Sequence, residues 1–192
     1  MKINYALFCF IAVTVLNTAF LQAQSINNLE GNNGFKKYKL GSKFVMGYGV
    51  KIRDESGADK IIVDYSKDKI GDIPVKTIEL YYIKDTLSRI VVRVPVEYYD
   101  RLSEACKNSF GMPNEDLSEN ENNQATKTSS GNNYRDLYIW KAKRFSMEYM
   151  YFYPKFNGGG NAVRDLYLDY SFNDYPLRLQ TVKKGDYSAK NF

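Results

Sequence analysis

The chain has 192 residues, with 27 basic and 22 acidic side chains, a formal net charge of +5 and no histidine. So mild a charge, with the signs interspersed, excludes the electrostatic footprint of a nucleic-acid binder. The missing histidine excludes Ser-His-Asp and Cys-His catalysis, and removes the commonest zinc and copper ligand.

Residues 1–23 read as an export signal. Lys2 supplies the positive start, and the apolar run 5–15 is too short to span a bilayer comfortably. Asn17 and Thr18 interrupt that run, and Ala23 is the expected last residue before cleavage. An uncleaved anchor is the alternative; a lipoprotein is disfavoured because Cys9 lies inside the apolar run. Removing Lys2 with the signal leaves 26 basic residues against 22 acidic, or +4. It also leaves Cys106 without a partner for a disulfide within the chain. The remaining length of about 170 residues suffices for one ordinary domain with its own core. No Asn-x-Ser/Thr acceptor occurs. The expected address is periplasmic or secreted, with no transmembrane segment after signal cleavage.

Residues 24–33 are polar and rich in Asn and Gly, a flexible leader. Residues 34–42 form a short extended lead-in with a turn at Leu40-Gly41, and Lys36, Lys37 and Lys39 make a solvated face. Phe44, Met46, Tyr48, Val50 and Ile52 alternate as in a strand. Gly47 and Gly49 fall on its other face, where a bend, a bulge or a flat-lying ligand explains them. Residues 54–59 make a turn centred on Gly57. Residues 60–65 return as a strand with Ile61, Val63 and Tyr65 on one face, and 66–72 is a charged loop.

Residues 73–96 form the central hairpin. A three-residue loop, Lys84-Asp85-Thr86, closed by Ile83 and Leu87, sets Leu80 opposite Ile90 and Ile78 opposite Val92. It also sets Thr77 opposite Arg93 and brings Glu79 near Arg89 and Arg93. A one-residue slip would mix apolar and polar faces, so the apolar face specifies the register. Over 97–110, Tyr99, Leu102, Cys106 and Phe110 recur on one helical face. Gly111 and Pro113 end the helix. Cys106 is read as a small buried hydrophobe.

Residues 114–133 are a polar, low-complexity, solvated loop. Its Glu115, Asp116, Glu119 and Glu121 do not match the spacing of a calcium loop. In residues 134–153, Leu137 and Ile139 share one side of a strand, and Tyr138 and Trp140 the other. A second strand follows from Phe145, apolar on both faces and therefore expected at the centre of a sheet. The loop 154–162 carries Gly158-Gly159-Gly160 but lacks the Gly-Lys-Ser/Thr of a phosphate-binding loop. Leu166, Leu168, Tyr170 and Phe172 make a last strand face, with Asp165, Tyr167 and Asp169 outward. The domain is expected to end at 175, and 176–192 to be a frayed polar tail.

Outward carboxylates are Glu79, Asp136, Glu148, Asp165 and Asp169. Asp165 and Asp169 lie roughly 13 Å apart along one strand, beyond the separation of cooperating glycosidase carboxylates. Tyrosine offers a flat apolar body with a polar tip, so Tyr81, Tyr138, Trp140 and Tyr167 are the candidate ligand-binding residues. No catalytic residue, metal ligand or cofactor is assigned.

From Gly34 to Trp140 the chain resembles small exported proteins of unknown function from Gram-negative, Bacteroidetes-like bacteria. The shared features are Gly34, Phe35, Leu40, Gly41 and Ser42; Ile70-Gly71-Asp72 before a hairpin; Phe110-Gly111-x-Pro113; and a strand bearing Trp140. The resemblance implies an α+β fold and a periplasmic or secreted address, and carries no activity.

The expected fold is α+β. An antiparallel sheet of about seven strands, four before the helix and three after, packs on one main helix. A closed barrel is the alternative. The expected function is a non-catalytic binding or interaction module with an aromatic sheet surface, whose partner is an envelope glycan or another exported protein. The alternative is a carboxylate-dependent hydrolase acting on envelope glycan. The two differ in whether two outward carboxylates stand within about 5–9 Å in a cleft.

Overall fold

The computed structural model describes residues 29–45, 47, 51–54, 56–63, 67–118, 133–154 and 164–189. The signal read over 1–23, the leader to 28, Met46, Tyr48, Gly49, Val50, Tyr65, residues 119–132 of the polar loop and the triglycine lie outside the described residues.

The strands are β1 (Gly34–Phe35), β2 (Tyr38–Lys39), β3 (Ile52–Arg53), β4 (Asp59–Val63), β5 (Lys69–Ile70), β6 (Ile73–Pro74), β7 (Thr77–Ile83) and β8 (Thr86–Val94). A 3-10 turn, Val96–Tyr98, leads into helix α1 (Tyr99–Phe110). There follow β9 (Glu115–Asp116), β10 (Asn133–Lys141), β11 (Phe145–Pro154), β12 (Asp165–Phe172) and helix α2 (Tyr175–Ala189). Eight strands form one antiparallel sheet in the order β3-β4-β7-β8-β12-β11-β10-β9. β1 pairs β2, and β5 pairs β6, in two small separate sheets. Among the described residues, the expected seven strands on one helix become an eight-stranded open sheet with a helix on each face.

The hairpin reaches the expected register by another route. Leu80 faces Ile90, Ile78 faces Val92 and Thr77 faces Arg93. The loop, however, has two residues rather than three, and Ile83 pairs with Thr86. Lys84 and Asp85 both take left-handed conformations, at φ 49° and 59°, as a tight turn matched to strand twist requires. The missing loop residue is restored by a bulge, since Tyr81 faces Arg89 while Tyr82 faces Leu87. The extra residue, Ser88, is fully buried, and its hydroxyl donates to the Thr86 carbonyl at 2.9 Å. Residues 41–44 stitch onto the tip: Gly41 N–H donates to Leu87 O, Leu87 N–H to Ser42 O, and Phe44 N–H to Asp85 O.

One face of the sheet is the main core. Ile78, Leu80, Ile90, Val92, Leu166 and Met147 are almost wholly buried there together with Leu102 and Cys106 of α1. The helical spacing of Leu102 and Cys106 puts both on the inner side, and truncating Leu102 to Ala would cost about 2–5 kcal/mol. Gly111, at φ 74°, ends α1. β1 lies over β8 and β12, with Phe35 against Tyr170 at 6.4 Å between ring centroids. A Cβ at Gly34 would collide with the Tyr38 carbonyl oxygen, so only glycine closes this small hairpin. The end of the expected leader is anchored: Leu29 is 2% exposed in the core. β11 lies between β12 and β10, which explains the apolar residues on both its faces.

The expected frayed tail from 176 is instead most of α2. Tyr175 is buried, and Leu179 and Val182 are half-buried, against Tyr81, Ile83, Val91 and Ala58 on the second face. Their spacing of four and three residues makes one narrow stripe. Its polar flanks and the exposed Leu177 hide that stripe in the sequence.

Candidate functional site

The four aromatic residues proposed as one surface divide between the two faces. Trp140 is 1% exposed on the α1 face and donates its indole N–H to Gly111 O at 2.9 Å. Tyr138 lies beside it, edge-on at 6.4 Å, with the Lys107 ammonium 4.7 Å from its ring centre. Neither offers a free flat face. The reason is strand period: even-numbered residues of β10 point under α1.

Tyr81 and Tyr167 stand on the opposite face, among the charges of β7, β8 and β12. The Tyr81 hydroxyl donates to Glu79 Oε2 at 2.6 Å, and Arg93 Nε donates to Glu79 Oε1 at 3.0 Å. Arg93 also pairs with Asp165. Beside this chain, Arg89 holds Asp169 through Nε and Nη2, at 2.6–3.1 Å. The guanidiniums lie over rings: Arg89 is 5.1 Å from Tyr81 and 5.7 Å from Tyr175, and Arg93 is 5.4 Å from Tyr167. Planar guanidinium suits both contacts at once, the fork for carboxylate and the face for an aromatic ring.

This packing shifts the acids and phenols. Burial pulls Glu79 upward, but the Tyr81 hydroxyl and Arg93 outweigh it and hold the carboxyl below its ordinary value. Burial, then Glu79, raises Tyr81. Burial pushes Tyr167 up to about 12, with Asp169 adding to it. Burial raises Asp169 against the pull of Arg89. Thus Glu79, Asp165 and Asp169 are each held by an arginine, and of the two partners expected for Glu79, Arg89 and Arg93, it takes Arg93. Arg89 takes Asp169 rather than Glu79.

Helix α2 covers Tyr81, Ile83 and Val91 but leaves Tyr167 half-buried. Phe152 stacks beside Tyr167 at 6.3 Å, tilted by 30°, and the Tyr167 hydroxyl meets Met150 Sδ at 2.9 Å. Tyr167, Phe152, Met150 and the ring-facing side of Arg93 form an amphipathic band along the second face of the sheet. Phe152 and Met150 were missed in the sequence because the apolar residues of β11 read as core on both faces.

One carboxylate differs. Asp136 is half-buried, and no cation pairs with it among the described residues. Burial raises its carboxyl, and the negative charges of Asp116 and Asp100 raise it further. It lies across the β10–β11 ladder from Tyr151, whose ring stacks on Tyr99 at 5.0 Å. Among the described residues, no group of three His, Cys, Asp or Glu side chains is arranged to hold a metal ion. Nor is any helix among the described residues long and apolar enough to cross a membrane.

No protein-family model, no curated protein and no solved structure matches the chain.

Proposed function

We propose that the chain is an exported binding module, periplasmic or secreted, that recognises its partner without catalysis through the open band of the sheet's second face. The single observation that supports this reading is the position of Tyr167. It stands between Arg93 and Phe152 on a sheet face that α2 covers only in part. Aromatic and arginine side chains on a rigid, partly solvated platform are the groups that dominate recognition surfaces. The ion pairs around it fix Arg93 before any partner arrives, which lowers the ordering cost of binding. The partner classes are an envelope glycan and another exported protein. The test is a screen of residues 24–192 against glycan and envelope-protein arrays, repeated with Tyr167→Ala and Phe152→Ala. Binding that both substitutions weaken while the circular dichroism spectrum stays native supports the band; binding indifferent to both, or none, removes it. Fractionation of a Gram-negative host expressing the whole chain tests export, and retention in the cytoplasm overturns that part.

A second reading, a carboxylate-dependent hydrolase of envelope glycan, rests on Asp136. A half-buried carboxyl raised first by burial and then by neighbouring acids is the form a general acid takes. Release of soluble fragments from purified envelope glycan, abolished by Asp136→Asn, would establish it. Equal inertness of the native chain and the variant would remove it.

A further inference from the structure

At the same end of the sheet as the hairpin tip, the β10–β11 turn, the end of β12 and the start of α2 border an open cleft of about 280 Å³. Lys143, Arg144 and Arg178 reach it from two separate elements, against the one acid of its wall, Asp174. Phe145 and Phe172 pair at 5.8 Å beneath it. Each ring carries a guanidinium: Arg178 stands 4.2 Å from the Phe172 centre and Arg144 5.7 Å from that of Phe145.

The cleft is held in shape. Asn173 Nδ2 donates to the Ala142 and Lys143 carbonyls at 3.1 and 3.3 Å, and its backbone N–H donates to Arg144 O at 3.0 Å. The Arg144 backbone N–H donates to Glu30 Oε1 at 3.3 Å. Asp174 accepts from Arg178 Nε at 2.7 Å, which fixes that guanidinium but leaves its Nη groups outside this contact. Counting Glu30 as well as Asp174, three cations face two carboxylates, so a small surplus of positive charge is concentrated in one rigid recess.

We propose that this cleft binds a phosphate oxyanion. Two guanidiniums set on separate ring faces, with an ammonium beside them, approach from different directions. That arrangement fits the several oxygens of a tetrahedral anion, whereas a planar carboxylate is satisfied by a single fork. The ring faces hold the arginines by cation–π contact without consuming their N–H donors. The site lies apart from the Tyr167 band, and its fate is independent of the reading proposed for that band.

Two sources share this chemistry, a soluble phosphate ester and a phospholipid headgroup. The test titrates the full isotope-labelled chain with inorganic phosphate and with glucose 6-phosphate, against chloride at matched ionic strength, following backbone amides by NMR. Co-sedimentation with phosphatidylglycerol-containing vesicles forms the second arm. Saturable shifts confined to the amides of 142–145 and 173–179, weakened about tenfold or more in Arg144→Gln and in Arg178→Gln, support the site and assign a soluble ester. Vesicle binding that the same substitutions remove, without response to the soluble probes, supports it and assigns a headgroup. Shifts no larger than those with chloride and no vesicle binding, or responses unchanged in both variants, overturn it. Should Arg178→Gln lose the fold through Phe172, the exposed Arg144→Gln decides alone, and Lys36→Gln is the remote control.

Discussion

Arg89 on β8 and Asp169 on β12 are not directly opposite in the ladder, where Arg89 faces Ser171 and Asp169 faces Val91. They meet on the diagonal, through three hydrogen bonds of 3.1, 2.9 and 2.6 Å. Asp169 is only 7% exposed, so the pair ties two neighbouring strands through a buried carboxylate and a half-buried guanidinium.

Removing one partner is therefore costlier than removing both. Arg89→Met leaves a buried carboxylate unpaired and is expected to cost about 3–5 kcal/mol, whereas Arg89→Met with Asp169→Leu recovers most of that. Urea unfolding of the two variants measures the difference. Equal destabilisation of both would mean that the pair acts through packing rather than charge.

Glu79 sets a pH dependence. Its folded value lies below the ordinary 4.5 because Tyr81 and Arg93 outweigh burial. A carboxyl depressed in the fold contributes stability that is present above its unfolded value and lost as pH falls through the folded one. Stability should decline below about pH 4.5, and Glu79→Gln should flatten that acid limb. The raised Asp169 works in the opposite sense but is common to both proteins, so the difference between them isolates Glu79. A variant with an unchanged acid limb would refute the assignment.

Tyr175 anchors α2 against Tyr81, Ile83 and Val91. Tyr175→Ala should destabilise by about 3 kcal/mol, because an aromatic residue seals the second core cluster there. The opened face should bind 1-anilinonaphthalene-8-sulfonate before the main core unfolds. A variant that unfolds in one step at unchanged midpoint would show that α2 docks without it.

Cys106 is 3% exposed, and burial pushes its thiol up to about 12. A neutral, enclosed thiol is unreactive, so disulfide reagents should modify Cys106 in the folded chain of residues 24–192, which lacks Cys9, only at the rate of unfolding. Fast labelling under native conditions would place Cys106 outside the core, contrary to its position beside Leu102.

Much of the architecture is legible in the alternation of apolar residues. Leu80 against Ile90 and Ile78 against Val92 follow from the requirement that one face be dry, and that requirement fixed the register even though the loop length was misjudged. The two-residue turn was invisible because Lys84-Asp85 lacks the Asn-Gly signature of left-handed turns, and the bulge at Ser88 has no composition signal of its own. Helix α2 was illegible for a related reason: three contacts spread over two turns give too weak a periodicity to outweigh a polar stretch. Phe145 and Phe172 are legible as residues of apolar strand faces, but their carrying of Arg144 and Arg178 depends on strands that meet only in the sheet.

The sequence by itself determined which residues face each other from Thr77 to Tyr81 of the central hairpin, that Leu102 and Cys106 lie on the buried side of α1, and that histidine-based chemistry is excluded, because each depends on local period or on composition. Only the tertiary structure decided that Tyr138 and Trp140 stand back to back with Tyr81 and Tyr167, that α2 shields part of the second face, and which arginine holds which acid. Those outcomes turn on the order of strands in the sheet and on diagonal reach between them. A one-dimensional pattern gives the face of each residue within its own strand, and the strand order alone brings faces from distant segments together.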